Sequence, residues 1–201
     1  MKDHENIKGH LRALDLLLEM VRNNEPVRQH DVRSLHQLLL DQPFQTSART
    51  PDGLPTRKWV YPGQYKDQPN HVETPTGEKH YYASVEETPA LMTELTDWLA
   101  ANRPTYHPLI LSALFQHAFV SIHPFDDGNG RMTRLLANLV LMQADFPPVI
   151  VRQQEREAYY AALSQADAGE PLRFVEFIGS GLERSFNIQL QGARGDFIKA
   201  T

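Results

Sequence analysis

The fold is decided by one short stretch, HPFDDGNGRMTR, which spans residues 123–134. Before it, residues 107–122 are apolar nearly all round, and Pro108 suits the first turn of a helix because its φ is fixed and it lacks an N–H. After it, residues 131–145 repeat apolar side chains at helical spacing. We therefore predict two buried helices joined by a tight loop at residues 127–130, where glycine and asparagine tolerate unusual backbone conformations.

The start of the second predicted helix is a candidate anion site. The N–H groups of residues 130–133 are expected to lack intrahelical partners, and the helix macrodipole places roughly +0.5 elementary charge beside them. Anions bind at such helix starts. Arg131 and Arg134 emerge from neighbouring positions on one face, and their planar guanidinium groups suit phosphate oxygens. We therefore predict that this site holds more than one phosphate.

His123 and Asp127 add chemistry to the predicted phosphate site. Asp127 can hold Mg²⁺ that is shared with phosphate oxygens, because Mg²⁺ usually takes one or two carboxylates together with the phosphates of a substrate. A neutral His123 imidazole can accept the proton of an incoming hydroxyl, which predicts transfer to an alcohol. Taken singly, the same residues fit a second interpretation, in which His123 caps the first helix while Asp127 and Asn129 only form a turn.

Taken together, residues 123–134 resemble the motif of the Fic (filamentation induced by cAMP) family, His-x-Phe-x-(Asp or Glu)-Gly-Asn-(Gly or Lys)-Arg-x-x-Arg, without an exception. The resemblance continues at Pro147-Pro148, at residues 159–163 (YYAAL) and at residues 174–178 (FVEFI), so that it covers residues 6–190. It implies an all-α Fic fold, with about six to eight helices bundled around the central helix-loop-helix and a small β-hairpin flap.

The resemblance also implies an activity, the transfer of AMP from ATP to a Ser, Thr or Tyr hydroxyl of a target protein with release of pyrophosphate. By position, His123 resembles the family's general base and Asp127 its Mg²⁺ ligand. The nucleotide phosphates would be held by the residues that follow, which are Gly128, Asn129, Gly130, Arg131, Met132, Thr133 and Arg134.

Two further candidates lie on a helix predicted over residues 155–167. In Fic enzymes the first tyrosine of a pair lies near the adenine and a polar residue eight positions later lies near the nucleotide, which implies Tyr159 and Asp167 here. Asp167 departs from the asparagine associated with that place. Core packing with a satisfied hydroxyl is the alternative for Tyr159 and the prediction for Tyr160.

The composition is that of one soluble globular domain, with 201 residues, 41% apolar and 22% charged. The net charge of −5 disfavours broad nucleic-acid binding. The absence of cysteine excludes disulfides and thiolate nucleophiles and fits a reducing compartment. Since there is no long apolar run and no signal-peptide pattern, we expect a cytoplasmic protein that binds neither nucleic acid nor membrane.

Before the central helices, the sequence predicts amphipathic helices at residues 7–21 and 27–40. Five side chains are expected on the apolar face of the first helix: Leu11, Leu14, Leu17, Leu18 and Val21. On the second, His30 and His36 lie six positions apart and do not share a face, so both are predicted to be surface residues rather than paired metal ligands.

Residues 46–76 are rich in proline and glycine and are predicted to be an irregular connection. Residues 71–82 read as a β-hairpin whose turn is formed by residues 75–78. The resemblance implies a flap over the nucleotide, whose edge aligns a substrate segment by strand addition. An ordinary surface hairpin is the alternative. The candidate flap residues are Val72, Glu73, Thr74 and Pro75.

We expect a single Fic domain over residues 1–191 and a tail over residues 192–201. Within the domain, residues 1–45 are N-terminal helices, residues 46–83 are the loop and flap, and residues 84–191 are the catalytic core. The oligomeric state stays open, with a homodimer as one option.

Regulation is a separate question. Many Fic proteins are silenced by a (Ser or Thr)-x-x-x-Glu-(Gly or Asn) helix whose glutamate pairs with the second motif arginine. Only Glu5-Asn6 has the final pair in this chain, and Met1 stands where Ser or Thr is expected. Glu5 is therefore the candidate inhibitory residue, although a glutamate at a helix start also has a simple electrostatic explanation. The further hypothesis is that an inhibitory segment lies upstream or is supplied by a partner antitoxin.

Rival functions use the same site in other ways. The site could remove AMP from a modified protein, transfer UMP or phosphocholine, or serve a non-catalytic nucleotide-binding scaffold. A scaffold would not need the base His123. An EF-hand fails on spacing because it would put Phe125 in a ligand position, and a P-loop fails because no Gly-Lys-Ser/Thr follows the glycines.

Overall fold

A computed structural model of the chain describes residues 2–50, 53–73 and 79–195, and the side chains of residues 2–7, 72, 73, 79 and 80 are not described. The predicted helical bundle with a small β-hairpin is confirmed. The helices are α1 (Lys2–Asn23), α2 (Gln29–Leu40), α3 (Thr88–Asn102), α4 (Pro108–Ile122), α5 (Asn129–Met142), α6 (Arg156–Asp167) and α7 (Leu172–Ala193). The strands are β1 (Phe44–Arg49), β2 (Pro55–Val60), β3 (His71–Glu73) and β4 (Lys79–Tyr81), and one 3-10 turn covers Gln153–Glu155.

The predicted central pair corresponds to α4 and α5. Pro108 occupies the first turn of α4, as expected, and the His107 side chain caps it by accepting a hydrogen bond from the Leu109 N–H at 3.2 Å. Both helices are apolar on several faces because each contributes to two adjoining cores. The loop between them is therefore held between rigid elements.

The first core lies among α1 to α5, and the second lies where α4 and α5 meet α6 and α7. The largest buried side chains of the first core include Leu17, Leu35, Leu39, Met92, Phe115 and Phe119. The second core is centred on Leu141, Phe174 and Ile178.

The apolar face predicted for α1 is wrong at three positions. Leu17 is buried as expected, but Leu11, Leu14 and Leu18 are 56%, 38% and 37% exposed. Ala13 is fully buried in the first core, so the helix presents a face rotated toward its smaller side chains. Periodicity identified the helix but not which part of the apolar stripe has a neighbour.

The prediction of an irregular connection over residues 46–76 is also wrong for its first half. Strands β1 and β2 pair in antiparallel register from Phe44 opposite Val60 to Arg49 opposite Pro55. Pro55 is tolerated because it begins its strand at an edge, and Gly53 supplies the positive φ of +81° in the connection. Proline and glycine here mark the turn and the start of a strand and do not exclude a hairpin.

The second hairpin follows the prediction. Strands β3 and β4 pair with His71 opposite Tyr81, Val72 opposite His80 and Glu73 opposite Lys79. The flap candidates Val72 and Glu73 therefore lie on β3, but their side chains are not described, and Thr74 and Pro75 lie outside the described residues. The same limit applies to the Glu5 side chain on α1.

The last helix continues to Ala193, slightly beyond the expected start of the tail. None of the described helices combines the length and the apolar character that crossing a bilayer requires.

Candidate active site

The loop between α4 and α5 has a left-handed residue at each end. His123 ends α4 with φ 50° and ψ 60°, and its N–H donates to the Phe119 carbonyl at 3.0 Å. Gly128 precedes α5 with φ +81°, and a Cβ there would approach His36 Nε2 at 3.3 Å. Glycine at position 128 therefore avoids both the strain of a positive φ and a close contact with His36. For His123 the left-handed conformation costs about 1–2 kcal/mol, which the surroundings must offset.

Asn129 fastens the loop to α5 through its side chain. Its Oδ1 accepts the Phe125 N–H at 2.9 Å and its Nδ2 donates to the Phe125 carbonyl at 2.6 Å. The Phe125 ring is fully buried. Because both ends of the Asn129 carboxamide are occupied, this side chain shapes the loop.

His36 is buried, which corrects the prediction that it is a surface residue. Its ring stacks on Phe125 with centroids 3.7 Å apart, and its Nδ1 accepts the Gly63 N–H at 2.8 Å. Since Nδ1 is an acceptor, the proton is on Nε2, which donates to the Asp127 carbonyl at 3.0 Å. Burial lowers the pKa of His36 to about 4, with a smaller contribution from Arg131. The spacing of six residues from His30 excludes a shared helix face but does not determine whether His36 is buried.

The helix-start amides also differ from expectation. The Arg131 and Met132 N–H groups donate to the Gly128 carbonyl at 3.0 and 2.9 Å, so they are not free for an anion. The left-handed Gly128 turns its carbonyl into the first turn of α5. The macrodipole remains, but most of the attraction for an anion must come from the guanidinium groups.

The two adjacent aspartates of the loop have different environments. Asp126 is 8% exposed in its side chain and pairs with Lys58 of β2 at 2.5 Å. The Asp127 side chain is 39% exposed, its Oδ1 accepts the Gly128 N–H at 2.5 Å, and Arg131 lies 3.9 Å away. Asp127 is thus the carboxylate available to a ligand.

Asp127 could contribute to a metal site only together with other oxygen donors. Among residues 2–50, 53–73 and 79–195, no group of three or more His, Cys, Asp or Glu side chains could hold a metal ion. One accessible carboxylate beside a cavity fits Mg²⁺ that is coordinated mainly by substrate phosphates and water.

A cavity of about 620 Å³ opens beside the loop, within the usual size range of ligand sites. Its walls bring together most of the residues predicted from the motif. It is lined by His123, Asp126, Asp127, Gly128, Asn129, Gly130, Arg131, Arg134, Val151, Arg152, Gln153, Arg156, Tyr159 and Tyr160.

Three candidates lie away from this lining. The side chains of Met132 and Thr133 are fully buried within the bundle. Asp167 pairs with His117 Nε2 at 2.8 Å. Its departure from the expected asparagine thus coincides with a local hydrogen-bond partner.

The cavity wall formed by the 3-10 turn and the start of α6 was not predicted from the sequence. Tyr160 was predicted to pack in the core, but it is 55% exposed and the Arg156 guanidinium lies 5.6 Å from its ring centroid. The spacing of four between these two residues was the available signal for this contact. Arg152 and Gln153 gave no comparable signal.

Two tyrosine rings lie at or beside the site, that of Tyr159 in the cavity wall and that of Tyr82 against His123. Tyr159 is 8% exposed and its hydroxyl accepts a hydrogen bond from Gln116 at 3.1 Å, while burial raises the pKa of Tyr159. The Tyr82 ring stacks on the His123 imidazole with centroids 3.9 Å apart and an angle of 16°. Tyr82 directly follows β4, so the end of the hairpin contacts His123, the predicted general base.

Comparison with known proteins gives relatives along nearly the whole chain. A protein adenylyltransferase Fic from Nematostella vectensis is 31% identical over 190 residues, covering 94% of this chain and 40% of that protein. One of the same name from Aedes aegypti is 42% identical over 101 residues, covering 50% of this chain and 20% of that protein. The chain thus spans less than half the length of these two relatives.

Solved structures share the fold. The crystal structure of a Fic domain containing signaling protein from Bacteroides thetaiotaomicron superposes with a TM-score of 0.86 at 33% identity, covering 96% of this chain and 74% of that one. Fic-1 from C. elegans gives a TM-score of 0.77 at 26% identity, covering 98% of this chain and 53% of that one. The sequence model of the Fic/DOC family matches residues 26–141, which are more than half of the chain. With this match and the helix-loop-helix geometry described above, the chain belongs to the Fic/DOC family.

Proposed function

We propose that this chain is a protein adenylyltransferase, which transfers AMP from ATP to a Ser, Thr or Tyr hydroxyl of a target protein. The observation that carries the proposal is the cavity that His123 shares with Asp127, Arg131 and Arg134. The names of the relatives from Nematostella vectensis and Aedes aegypti support it. A base at this cavity supports an enzyme over a binding scaffold.

In the proposed reaction, Arg131 and Arg134 hold the triphosphate and offset its negative charge. His123 accepts the proton of the target hydroxyl as that oxygen attacks the α-phosphorus. The bond between the α-phosphorus and the oxygen bridging to the β-phosphate breaks, and pyrophosphate leaves with the electron pair. Mg²⁺, held by Asp127 and the phosphates, would neutralise charge on the leaving group.

The remaining site residues take supporting roles in the proposal. The backbone of residues 128–130 lies along the phosphates, and Tyr159, which lines the cavity, lies toward the nucleoside. Asp167 is proposed as a further nucleotide contact, which requires its carboxylate to leave His117. The hairpin that contains Val72 and Glu73 is proposed to align the target segment by strand addition, because its short strands leave backbone groups at their edges.

We also propose that the protein works in the cytoplasm. Residues 1–191 are proposed to act as a single Fic domain, which could form a homodimer. Arg134 is exposed, and no carboxylate of the described side chains lies within ion-pair distance of it. Arg134 is thus open to pairing with an inhibitory glutamate, which we propose comes from Glu5, from an upstream segment or from a partner antitoxin.

The position of the transferred label tests the reaction class. The protein is incubated with Mg²⁺, lysate and ATP labelled on either the α- or the γ-phosphate, and modified peptides are identified by mass spectrometry. We expect label from the α-phosphate and a mass increase of one AMP group on a hydroxyl side chain. Label from the γ-phosphate would make the protein a kinase and contradict the proposal, while loss of AMP from previously modified proteins would favour the reverse reaction.

A further inference from the structure

Four successive carbonyl groups around His123 are held by two residues of the segment before the flap. Lys66 Nζ donates to the Ile122 carbonyl at 3.1 Å, and the Lys66 backbone N–H donates to the Pro124 carbonyl at 2.8 Å. Asn70 Nδ2 donates to the carbonyls of His123 at 3.3 Å and Phe125 at 3.1 Å. Lys66 Nζ also donates to Asn70 Oδ1 at 2.9 Å, so the two side chains act as one unit.

Burying the charged Lys66 ammonium reduces the stability of the fold. The residue is 3% exposed, and burial lowers the pKa of Lys66 to about 8, an effect that Asp126 opposes and Lys58 reinforces. The carboxylate of Asp126 is already paired with Lys58 at 2.5 Å. The ammonium of Lys66 therefore donates to a backbone carbonyl and to the side-chain amide of Asn70, and not to a carboxylate. A buried charge without a close counter-ion is usually destabilising.

These hydrogen bonds stabilise the backbone conformation of His123. Its left-handed conformation, with φ 50°, is strained for a residue with a side chain and persists only if its surroundings fix it. Because the side chain leaves the backbone at a direction set by φ and ψ, the hydrogen bonds on both sides of His123 also fix where the imidazole begins. The Asn70 carbonyl further accepts the Tyr82 N–H at 3.4 Å, and Tyr82 stacks on that imidazole.

We propose that Lys66 and Asn70 are positioning residues that hold the strained His123 backbone so that its imidazole faces the cavity. They contact neither the phosphates nor the target in this account, and they act only through the loop. The inference rests on the proposed function, since it assigns their role to the step in which His123 accepts a proton.

Two variants separate this role from general support of the fold. Asn70→Asp keeps the acceptor for Lys66 but removes both donors to the loop, and Lys66→Met removes the ammonium while keeping the backbone N–H and the length of the stem. Asn102→Asp is the matched control, because Asn102 Nδ2 also donates to a backbone carbonyl, that of Trp98 at 2.9 Å, on α3.

The rate of label transfer from α-labelled ATP to lysate proteins is measured at saturating ATP, together with the ATP dissociation constant and the unfolding midpoint. We expect Asn70→Asp and Lys66→Met to slow transfer about 10- to 100-fold while the dissociation constant changes less than about twofold, because small displacements of a reacting group have such effects. Lys66→Met should do so without lowering the unfolding midpoint. Asn102→Asp should transfer label at the wild-type rate.

Nuclear magnetic resonance of the His123 imidazole tests the same idea without activity. Its ring signals should shift in Asn70→Asp and remain in place in Asn102→Asp, even if the wild-type protein transfers no label and the proposed function fails. Unchanged ring signals and unchanged transfer in both site variants would overturn the proposal. So would losses of rate, affinity and stability that run in parallel, since these would indicate only a loosened fold.

Discussion

At the scale of single residues, the site depends on a few buried polar side chains that fix the backbone of one loop. His36 is the clearest case, since one imidazole joins the Gly63 N–H to the Asp127 carbonyl while its ring covers Phe125. The neutral ring suits both hydrogen bonds. A protonated ring would present a second N–H to the Gly63 N–H and break that contact.

The titration of His36 gives a prediction for stability against pH. The pKa of His36 is about 4 in the folded protein and 6.5 as its ordinary value, so the unfolded chain binds more protons in that interval. The contribution of His36 should therefore reduce stability as the pH falls from 6.5 toward 4, by no more than about 1.4 kcal/mol per pH unit, and level off below that.

Denaturant unfolding of the wild type and His36→Phe over this pH range measures the effect. The phenylalanine keeps a ring on Phe125 and cannot titrate. The difference in free energy of unfolding between the wild type and His36→Phe should therefore shrink as the pH falls. His30→Phe is the control, because His30 is an exposed residue on the same helix. A difference that is constant with pH would show that His36 is not held in its neutral form.

Site residues that belong to the local motif could be predicted from the sequence, whereas those that act through distant contacts could not. The motif identified His123, Asp127, Arg131 and Arg134, and all four line one cavity. Lys66 could not be found in this way, because its role depends on carbonyls that are more than fifty positions away along the chain. No local pattern in the sequence encodes such a contact.

At the scale of elements, the helices were easier to predict than the strands. The period of apolar residues identified α4 and α5, and Pro108 marked a helix start correctly. The hairpin of β1 and β2 was missed because its strands bury little apolar surface, so its alternation between half-buried and exposed residues is weak in the sequence. Tertiary anchoring, not local propensity, holds this hairpin in place.

The anchor of that hairpin is the ion pair between Lys58 of β2 and Asp126 of the loop. Their side chains are only 16% and 8% exposed. Lys58→Met should cost about 3 kcal/mol of stability, because it leaves the Asp126 carboxylate buried and unpaired. The amides of β1 and β2 should then exchange their hydrogens faster.

The double variant Lys58→Met/Asp126→Asn provides the control for this prediction, since it removes both charges and should recover part of the loss. Equilibrium unfolding and hydrogen exchange measure the two effects. If Lys58→Met and the double variant lose equal stability, the cost would come from packing of the lysine stem and not from an uncompensated charge.

At the scale of the whole molecule, the fold separates binding from chemistry. The start of α5 carries the groups proposed to bind phosphate, and the end of α4 carries the proposed base, with one short loop between them. The second wall, from the 3-10 turn and α6, completes the cavity. This separation predicts that the base can be removed without loss of nucleotide.

The most direct test of the central claim is a comparison of ATP affinity and AMP transfer in His123→Ala, with His30→Ala as the matched histidine control. In the presence of Mg²⁺, we expect His123→Ala to bind ATP with a dissociation constant within about threefold of that of the wild type. Transfer of α-labelled phosphate should slow by at least about 100-fold, since a general base contributes about that much. His30→Ala should resemble the wild type in both respects. Transfer by His123→Ala at the wild-type rate would contradict the account.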